Sequence, residues 1–483
     1  MLKVTRFKVE RLHDVFNYDL DFAKGELYGT TILYGDNGSG KTTLLKLMFH
    51  ILSPTENKGH LTAISKIPFA RAEIQLSDGT KIVVNRVTGV SDFPIDFSIT
   101  LPSNKQTAFI FVPQSHKSKF LEFLIDNRPE GNIKSKGRRG KEQVSVKGTL
   151  SQTVKNILRE GVGETARKEY YSMLKEVSSA VYFLGTDRQI LNDNIDSLPS
   201  LASRGRDYES GVQEQISKLR TAYLKDALQR GSRFLSQQII DASNVGSKNI
   251  NDIYAEIFRR ILSHKATESD DGENDIRPLI AQLRHLQRRQ RKFVKLGLSP
   301  DLDVNSFIPN IRHIEEANFP IIAKVLVPFI ATLSARLDAM EPIRHSVEKF
   351  LESLNNFFKF KTIEYFPANG FRILGPLMEP LEVDQLSSGE QQLLLMFCSV
   401  LASNEAPNIF IIDEPEISLN IKWQRNILKA LREITYNSKC QLIVSTHSIE
   451  LLTQQSELVV ILDPTLSPGT GNVSENENED AED

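Results

Sequence analysis

The chain has 483 residues, of which 40% are hydrophobic, and its formal net charge is −2. This length is enough for about two to four folded cores, and the near-neutral charge gives no overall attraction to nucleic acid. No apolar run reaches the ~18 residues that would predict a membrane span. The two cysteines, Cys398 and Cys440, lie in apolar surroundings and predict buried free thiols. We expect a soluble cytoplasmic protein without a membrane partner.

The first part of the chain predicts a nucleotide-binding turn. Residues 2–10 alternate apolar with polar side chains, as in a strand, and a second strand is predicted near 16–22. Residues 35–42 read Gly-Asp-Asn-Gly-Ser-Gly-Lys-Thr, which matches the phosphate-loop pattern. Its glycines let backbone N–H groups turn toward phosphate oxygens, and the helix that follows directs its N-terminus at the same anion. The candidate nucleotide-binding residues are Gly35, Asp36, Asn37, Gly38, Ser39, Gly40, Lys41, Thr42 and Thr43.

Two of these residues have specific expected roles. Lys41 reaches the β- and γ-phosphates, and the Thr42 hydroxyl binds Mg²⁺. We expect Lys41 to lie exposed on the anion site.

The middle of the chain changes character. Antiparallel strands are predicted within 72–76, 81–86 and 97–111, and a Gly-rich basic loop over 130–148 is expected to be mobile. Residues 149–178 have a helical pattern, and a strand is predicted near 181–191. Long polar helices are then predicted at 208–240, 249–264, 274–296 and 320–357.

The helix predicted at 274–296 carries two stripes. Its apolar stripe consists of Leu279, Leu283, Leu286 and Phe293. Its basic stripe consists of Arg284, Arg288, Arg291 and Lys295. The basic stripe is compatible with contact to nucleic acid or an acidic partner. A solvated helix face explains it equally simply, and on the sequence alone we favour that explanation.

Three further motifs follow. Residues 386–392 read Leu-Ser-Ser-Gly-Glu-Gln-Gln and predict a helix that begins near Ser388. Residues 408–412 read Asn-Ile-Phe-Ile-Ile, a nearly continuous apolar run as in a strand buried on both faces, and Asp413 and Glu414 follow it. A second buried strand at 441–445 leads to His447. Ligands bind at the carboxyl ends of strands in open α/β sheets, so these side chains are candidate site residues.

The four motifs in this order resemble the ATP-binding cassette (ABC) ATPase head. The resemblance implies a magnesium-dependent ATP hydrolase in which Asp413 holds Mg²⁺, Glu414 polarises the attacking water and His447 contacts the γ-phosphate. It also implies that a head-to-head dimer completes the site, because the signature helix of one copy caps the γ-phosphate held by the other. The signature residues are Ser387, Ser388, Gly389 and Glu390. Asn420 departs slightly from the pattern, since many relatives have His there.

The resemblance also implies a glutamine that serves catalysis and the metal. Gln189 and Gln114 are both candidates. We favour Gln189, because the strands predicted between residues 72 and 111 precede that loop in the family.

More than half of the chain separates Lys41 from Ser388, so two folded halves should flank an insert. This layout resembles the recombination-mediator, chromosome-maintenance and overcoming-lysogeny-defect ATPases, and also the stand-alone ATPase subunits of bacterial anti-phage systems of the Septu or PARIS type. The expected fold is an α/β ABC head, a mixed sheet with an antiparallel β subdomain, that carries an inserted helical hairpin or bundle. The expected divisions are 1–206 and 358–467 for the two parts of the head, 207–357 for the helical insert and 468–483 for a disordered acidic tail.

Two functions are compatible with this pattern. In the first, ATP-driven head dimerisation controls an anti-phage defence complex. We expect no nuclease domain behind the head, because too few residues follow His447 for a further domain of ~100 residues. The cutting enzyme would then be a separate nuclease effector, and higher oligomers are expected as well as dimers. In the second, the chain is a DNA repair or recombination ATPase that clamps DNA.

Overall fold

The computed structural model describes most of the chain in separate stretches. They are residues 3–23, 29–56, 58–86, 94–113, 164–178, 180–186, 190–192, 221–242, 277–299, 319–403, 408–435, 440–452 and 455–466. The predicted basic loop at 130–148, the helix at 249–264 and the acidic tail lie outside these residues.

Strands and helices are numbered here in chain order. The strands are β1 Val4–Leu12, β2 Phe16–Asp21, β3 Thr30–Tyr34, β4 Arg71–Leu76, β5 Lys81–Arg86, β6 Ile95–Thr100, β7 Gln106–Phe111, β8 Ala180–Leu184, β9 Ile190–Asn192, β10 Thr362–Phe366, β11 Gly370–Leu374, β12 Pro380–Leu381, β13 Asn408–Asp413, β14 Cys440–Thr446, β15 Val459–Ile461 and β16 Thr465–Leu466. The helices are α1 Lys41–Leu52, α2 His60–Lys66, α3 Glu164–Val177, α4 at 221–242, α5 Arg277–Lys295, α6 Phe319–Asn355, α7 Ser388–Ser403, α8 Ile421–Thr435 and α9 Ile449–Leu452.

A six-stranded sheet carries the predicted phosphate loop and the acidic motif. Its order is β15-β3-β14-β13-β8-β9, and β13 pairs in parallel with both β14 and β8. Every residue of β13 is buried, which explains the apolar run at 409–412. β9 pairs antiparallel with β8, so the sheet is mixed, as expected. The single strand predicted near 181–191 is therefore two antiparallel strands.

A seven-stranded antiparallel sheet forms the second layer of the same unit. Its order is β16-β2-β1-β4-β5-β6-β7. Buried and partly exposed residues alternate along β4 and β6, as expected for a sheet with one face on the core. Phe7 of β1 shares a hydrophobic core with Leu45 and Met48 of α1 and with Phe183 of β8. The fold is the expected α/β class, with a mixed sheet and an antiparallel subdomain.

The chain divides into two compact units. The first comprises residues 1–205, 406–425 and 439–483, and the second comprises residues 206–405 and 426–438. In the second unit α5 packs against α6, and a small sheet has the order β10-β11-β12. On α5 the buried side chains include Leu283, Leu286 and Phe293 of the predicted apolar stripe.

Two expectations from composition can be examined directly. Cys398 and Cys440 are free and buried, as predicted, and burial raises the pKa of the Cys398 thiol. Among the described helices, none combines the length and apolar character needed to cross a membrane.

Candidate active site

The loop between β3 and α1 requires glycine at two positions. Gly38 and Gly40 have φ angles of 84° and 75°, in the left-handed region that side chains disfavour. A Cβ on Gly40 would also lie 3.2 Å from the Leu12 Cδ2 atom. The buried Tyr18 hydroxyl donates a hydrogen bond to the Ser39 carbonyl, and burial raises the pKa of Tyr18 to about 12. The turn is thus held from beneath by the β1–β2 hairpin.

The loop presents an exposed tip above a buried base. Asp36, Asn37 and Gly38 are exposed, Gly35 and Lys41 are buried, and Ser39, Gly40, Thr42 and Thr43 are half-buried. α1 begins at Lys41 without a side-chain cap. Its first backbone N–H groups are therefore not taken up by a capping side chain, which suits an anion site.

The expectation that Lys41 is exposed is wrong. Its side chain is only 5% exposed. The ammonium group donates to the backbone carbonyls of Gly35, at 2.7 Å, and Asp36, at 2.8 Å. A buried ammonium needs such acceptors because an unpaired charge in the interior is strongly unfavourable, so the lysine folds back onto its own loop.

Thr42 and Asp413 meet at the carboxyl edge of the sheet. The Thr42 hydroxyl donates to Asp413 Oδ2 at 2.7 Å, and the Ser445 hydroxyl donates to Asp413 Oδ1 at 2.5 Å. Asp413 is 1% exposed. The pairing of β13 with β14 places Asp413 opposite Ser445, so the register of the two strands fixes this contact.

The oxygen set at this point suits a magnesium ion. Mg²⁺ prefers oxygen ligands and commonly takes only one or two from the protein, with the remainder from phosphates and water. A hydroxyl and a carboxylate, Thr42 and Asp413, stand side by side here. Within the described part of the chain, no group of three or more His, Cys, Asp and Glu side chains could hold a metal ion.

Glu414 leaves the strand in an unusual backbone conformation. Its φ angle is 50°, which is uncommon for a residue with a Cβ. Its N–H donates to the Ser445 carbonyl at 3.0 Å, which holds the backbone in this conformation. Strained backbone of this kind concentrates at functional sites. Here the chain turns at Glu414, the residue that places a second carboxylate directly after Asp413.

His447 lies between two carboxylates. Its Nδ1 atom is 3.3 Å from Glu414 Oε1 and 3.4 Å from Glu416 Oε1. The His447 side chain is 41% exposed, whereas Glu416 is almost completely buried. Burial raises the pKa of Glu416, and hydrogen bonds from Thr446 and from the His447 backbone act against that rise.

The signature helix α7 begins at Ser388, as predicted, and belongs to the second unit. Ser387 and Ser388 are exposed, whereas Gly389 is buried. Glu390 Oε2 accepts hydrogen bonds from the Ser387 N–H and from Lys361 Nζ, both at 2.7 Å. Burial raises the pKa of Glu390, but these hydrogen bonds outweigh it and leave the pKa below its usual value.

Asn420 has a structural function at the start of α8. Its side-chain oxygen accepts a hydrogen bond from the Trp423 N–H at 3.1 Å. This is the usual contact of a helix-capping Asn, which gives a local reason for the residue at a position where the resemblance suggested His.

The sequence interpretation overlooked three residues of this site, and both glutamine candidates lie beyond the described residues. Ser445 ends the predicted strand at 441–445, and Glu416 lies two residues after Glu414, so a further acidic residue close to Asp413 was a signal that could have been used. Tyr18 gave no such signal, because its contact depends on how the hairpin packs. Gln114 and Gln189 stay predictions.

The family of the chain follows from a comparison with family models. Residues 15–452 match the model of the AAA ATPase domain. The chain belongs to this family. The match spans the phosphate loop, the signature helix and the strand that ends at Asp413, so an ATP-binding ATPase domain contains all the site residues described above.

Curated relatives of this ATPase domain protein are zinc import ATP-binding proteins. The zinc import ATP-binding protein ZnuC of Buchnera aphidicola is 25% identical over 126 residues, which are 26% of this chain and 49% of that protein. ZnuC of Wigglesworthia glossinidia brevipalpis is 27% identical over 123 residues, or 25% of this chain and 49% of that protein. The chain thus spans about half the length of these relatives.

Solved structures similar to this ATPase are SMC head domains. The Pyrococcus furiosus head, bound to the C-terminal domain of ScpA, has a TM-score of 0.34 at 13% identity and covers 94% of this chain and 92% of its own. The Pyrococcus yayanosii head has a TM-score of 0.31 at 15% identity, with coverage of 94% and 93%.

Proposed function

We propose that this protein is a magnesium-dependent ATP hydrolase whose ATP state controls its assembly with a second protein. The contact between Thr42 and Asp413 carries the proposal, because it joins the phosphate loop to the carboxylate at the end of β13. These two residues would hold Mg²⁺, which would neutralise charge on the phosphates. Hydrolysis by Lys41→Ala and Glu414→Gln variants tests this chemistry.

The other residues would act around the bound phosphates. The backbone N–H groups of the loop and Lys41 would bind the phosphate oxygens. Glu414 would orient and deprotonate water, His447 would contact the γ-phosphate, and Gln189 would support both the metal and the water. The half-buried position of Glu414 favours this role, since water can reach its carboxylate.

A second copy of the chain would complete the site. Ser387 and Ser388 lie exposed at the start of α7, where a phosphate of another protomer could meet them. Glu390 accepts hydrogen bonds from Lys361 and from the Ser387 N–H, which partly neutralise its negative charge at that helix end. ATP would then join two heads, and hydrolysis would separate them.

For the biological setting we favour an anti-phage defence complex with a separate nuclease effector. The form of the signature motif supports this choice through its resemblance to Septu- and PARIS-type ATPase subunits. We also propose that residues 207–357 are an insert that binds the effector or further copies, in a head formed by 1–206 and 358–467. Closure of two heads would move whatever the insert holds.

Replacement of residues 207–357 by a short Gly/Ser linker tests the assembly role. We expect the variant to bind ATP with unchanged affinity but to lose higher assembly and retention of its effector. The measurements are isothermal titration with an ATP analogue, light scattering and co-purification with the proteins encoded beside it. Retained assembly and an intact partner complex would contradict the proposal, and the unchanged ATP affinity shows that the head is still folded.

The exposed side of α5 favours a second candidate, a DNA-clamping ATPase. The helix contains no acidic residue. Its inward-facing Arg289 pairs with Asp338 at 2.6 Å and Glu341 at 3.7 Å. The four residues of the basic stripe are exposed, and none of them pairs with a described carboxylate. Exposed arginines on one helix face suit a phosphate backbone.

Charge reversal of this stripe separates the two candidates. If the protein clamps DNA, replacing Arg284, Arg288, Arg291 and Lys295 by Glu should abolish DNA binding. In the parent protein, the logarithm of the DNA-binding constant should fall linearly with the logarithm of the salt concentration. Each phosphate contact should contribute about −0.7 to −0.9 to this slope. The matched control reverses four exposed lysines from four other helices, which changes the net charge equally. They are Lys66, Lys175, Lys349 and Lys429.

The outcomes of this experiment are distinct. Loss of DNA binding in the stripe variant but not in the control would favour the DNA clamp. Loss of a protein partner with no effect on DNA would favour the defence complex. Equal behaviour of both variants would mean that the stripe is a solvated face.

A further inference from the structure

We infer that Glu416 is a positioning residue for ATP hydrolysis, and that it holds the His447 ring so that Glu414 stays free for water. This inference rests on the proposed function. Glu416 follows the acidic pair at the end of β13 and reaches across to the segment after β14. One oxygen of its carboxylate, Oε1, makes the contacts on which the inference depends.

Glu416 Oε1 hydrogen-bonds to Thr446 and to the His447 backbone, and it lies near the His447 ring. It accepts a hydrogen bond from the Thr446 hydroxyl at 2.6 Å and another from the His447 N–H at 3.1 Å. The same atom lies 3.4 Å from His447 Nδ1. Three contacts to one oxygen leave the histidine little freedom to move away from the end of the strand.

The burial of the Glu416 carboxylate has an unfavourable free energy that its contacts must offset. The residue is 5% exposed, and its Oε2 atom is buried without a hydrogen-bond partner in the described structure. Burying a carboxylate is unfavourable unless hydrogen bonds compensate for lost hydration. A hydroxyl or amide could cap this turn at lower cost, so the charge needs a reason beyond the turn.

The ring of His447 supplies that reason. The hydrogen bond made by one imidazole nitrogen determines which nitrogen carries the proton. A carboxylate at Nδ1 keeps a proton on that atom and leaves Nε2 unprotonated. Glu414 Oε1 lies slightly closer to Nδ1, at 3.3 Å, and competes with Glu416 for the same proton.

The two carboxylates therefore divide their tasks. Glu416 is buried and fixed, so it can hold Nδ1 permanently. Glu414 is half-buried and can meet water. Without the charge of Glu416, the Nδ1–H of His447 would have Glu414 as its carboxylate acceptor. Glu414 would then be engaged with the histidine and less able to activate water.

The test compares Glu416→Gln with the wild-type protein. The amide keeps the size of the side chain and an oxygen acceptor but removes the charge. We expect kcat for ATP to fall about 10- to 100-fold, the effect typical of losing a partner that orients a functional histidine. KM and the affinity for a non-hydrolysable ATP analogue should change less than about twofold, because binding rests on the phosphate loop. Glu450→Gln is the matched control, since Glu450 pairs with Arg425 on the surface of the neighbouring helix.

A double variant tests whether Glu416 acts through His447. If it does, Glu416→Gln combined with His447→Ala should hydrolyse ATP no more slowly than His447→Ala alone. Additive losses, or an equal loss in analogue affinity, would overturn the inference and leave Glu416 as a purely structural residue.

A spectroscopic measurement distinguishes failure of this inference from failure of the proposed function. Long-range ¹H–¹⁵N spectra of histidine-labelled protein report the tautomer of each ring, and His447→Ala identifies the signal. We expect a proton on Nδ1 of His447 in the wild type and a changed tautomer distribution in Glu416→Gln. An unchanged distribution would refute the inference even in an active enzyme. The expected change in a protein without ATPase activity would support the positioning and refute hydrolysis.

Discussion

Replacement of Glu414 by Gln should stop ATP hydrolysis and preserve ATP binding. An amide keeps the shape of the side chain but cannot accept a proton from water, and loss of a general base typically costs about 10²–10⁴-fold in rate. Gln is no more strained than Glu at the positive φ of this position, so the fold should be unaffected. Phosphate release gives the rate, and titration with ATP gives the affinity.

The same variant should accumulate dimers in ATP. If the exposed start of α7 caps the γ-phosphate of another copy, a protein that cannot hydrolyse ATP stays joined. Light scattering with and without ATP measures this directly. Hydrolysis at the wild-type rate would contradict the role of Glu414, and a stalled but monomeric protein would contradict the shared site.

Replacement of Lys41 by Ala should weaken ATP binding about 10- to 100-fold. This range corresponds to the ~1.5–3 kcal/mol of a hydrogen bond to a charged group. Isothermal titration with an ATP analogue measures the effect. Lys46→Ala is the matched control, since Lys46 lies on the same helix but is exposed.

The buried position of Lys41 adds a requirement to this experiment. Its removal leaves the Gly35 and Asp36 carbonyls without the ammonium that now binds them. Thermal unfolding should therefore be measured for both lysine variants. A folded Lys41→Ala protein with wild-type affinity would exclude the loop from ATP binding.

The elements around the site could be predicted because burial and turn chemistry leave clear patterns. The apolar run at 409–412 predicts a strand covered on both faces, and β13 is buried throughout. The glycines at 38 and 40 predict a tight turn, and both have positive φ angles. Likewise, the start of α7 at Ser388 follows from a Ser-rich segment ahead of an apolar helix.

What could not be predicted depends on contacts between distant segments. Glu416 meets Thr446 and His447 only because β13 and β14 pair in one register. Lys41 folds back because two carbonyl oxygens lie within reach of its ammonium group, which no sequence pattern records. The division of residues 181–191 into β8 and β9 was not predicted, because both strands are short and apolar and their antiparallel pairing leaves no periodic pattern.

The contacts of Lys41 affect how well inorganic phosphate can compete with ATP for the loop at residues 35–42. An incoming phosphate must draw the ammonium away from the two carbonyl oxygens that it already binds. A lone orthophosphate has few other contacts with which to offset that loss. A triphosphate also meets the backbone N–H groups of the loop and brings its metal ion. The loop should therefore resist occupation by the inorganic phosphate of the cell and stay available to ATP.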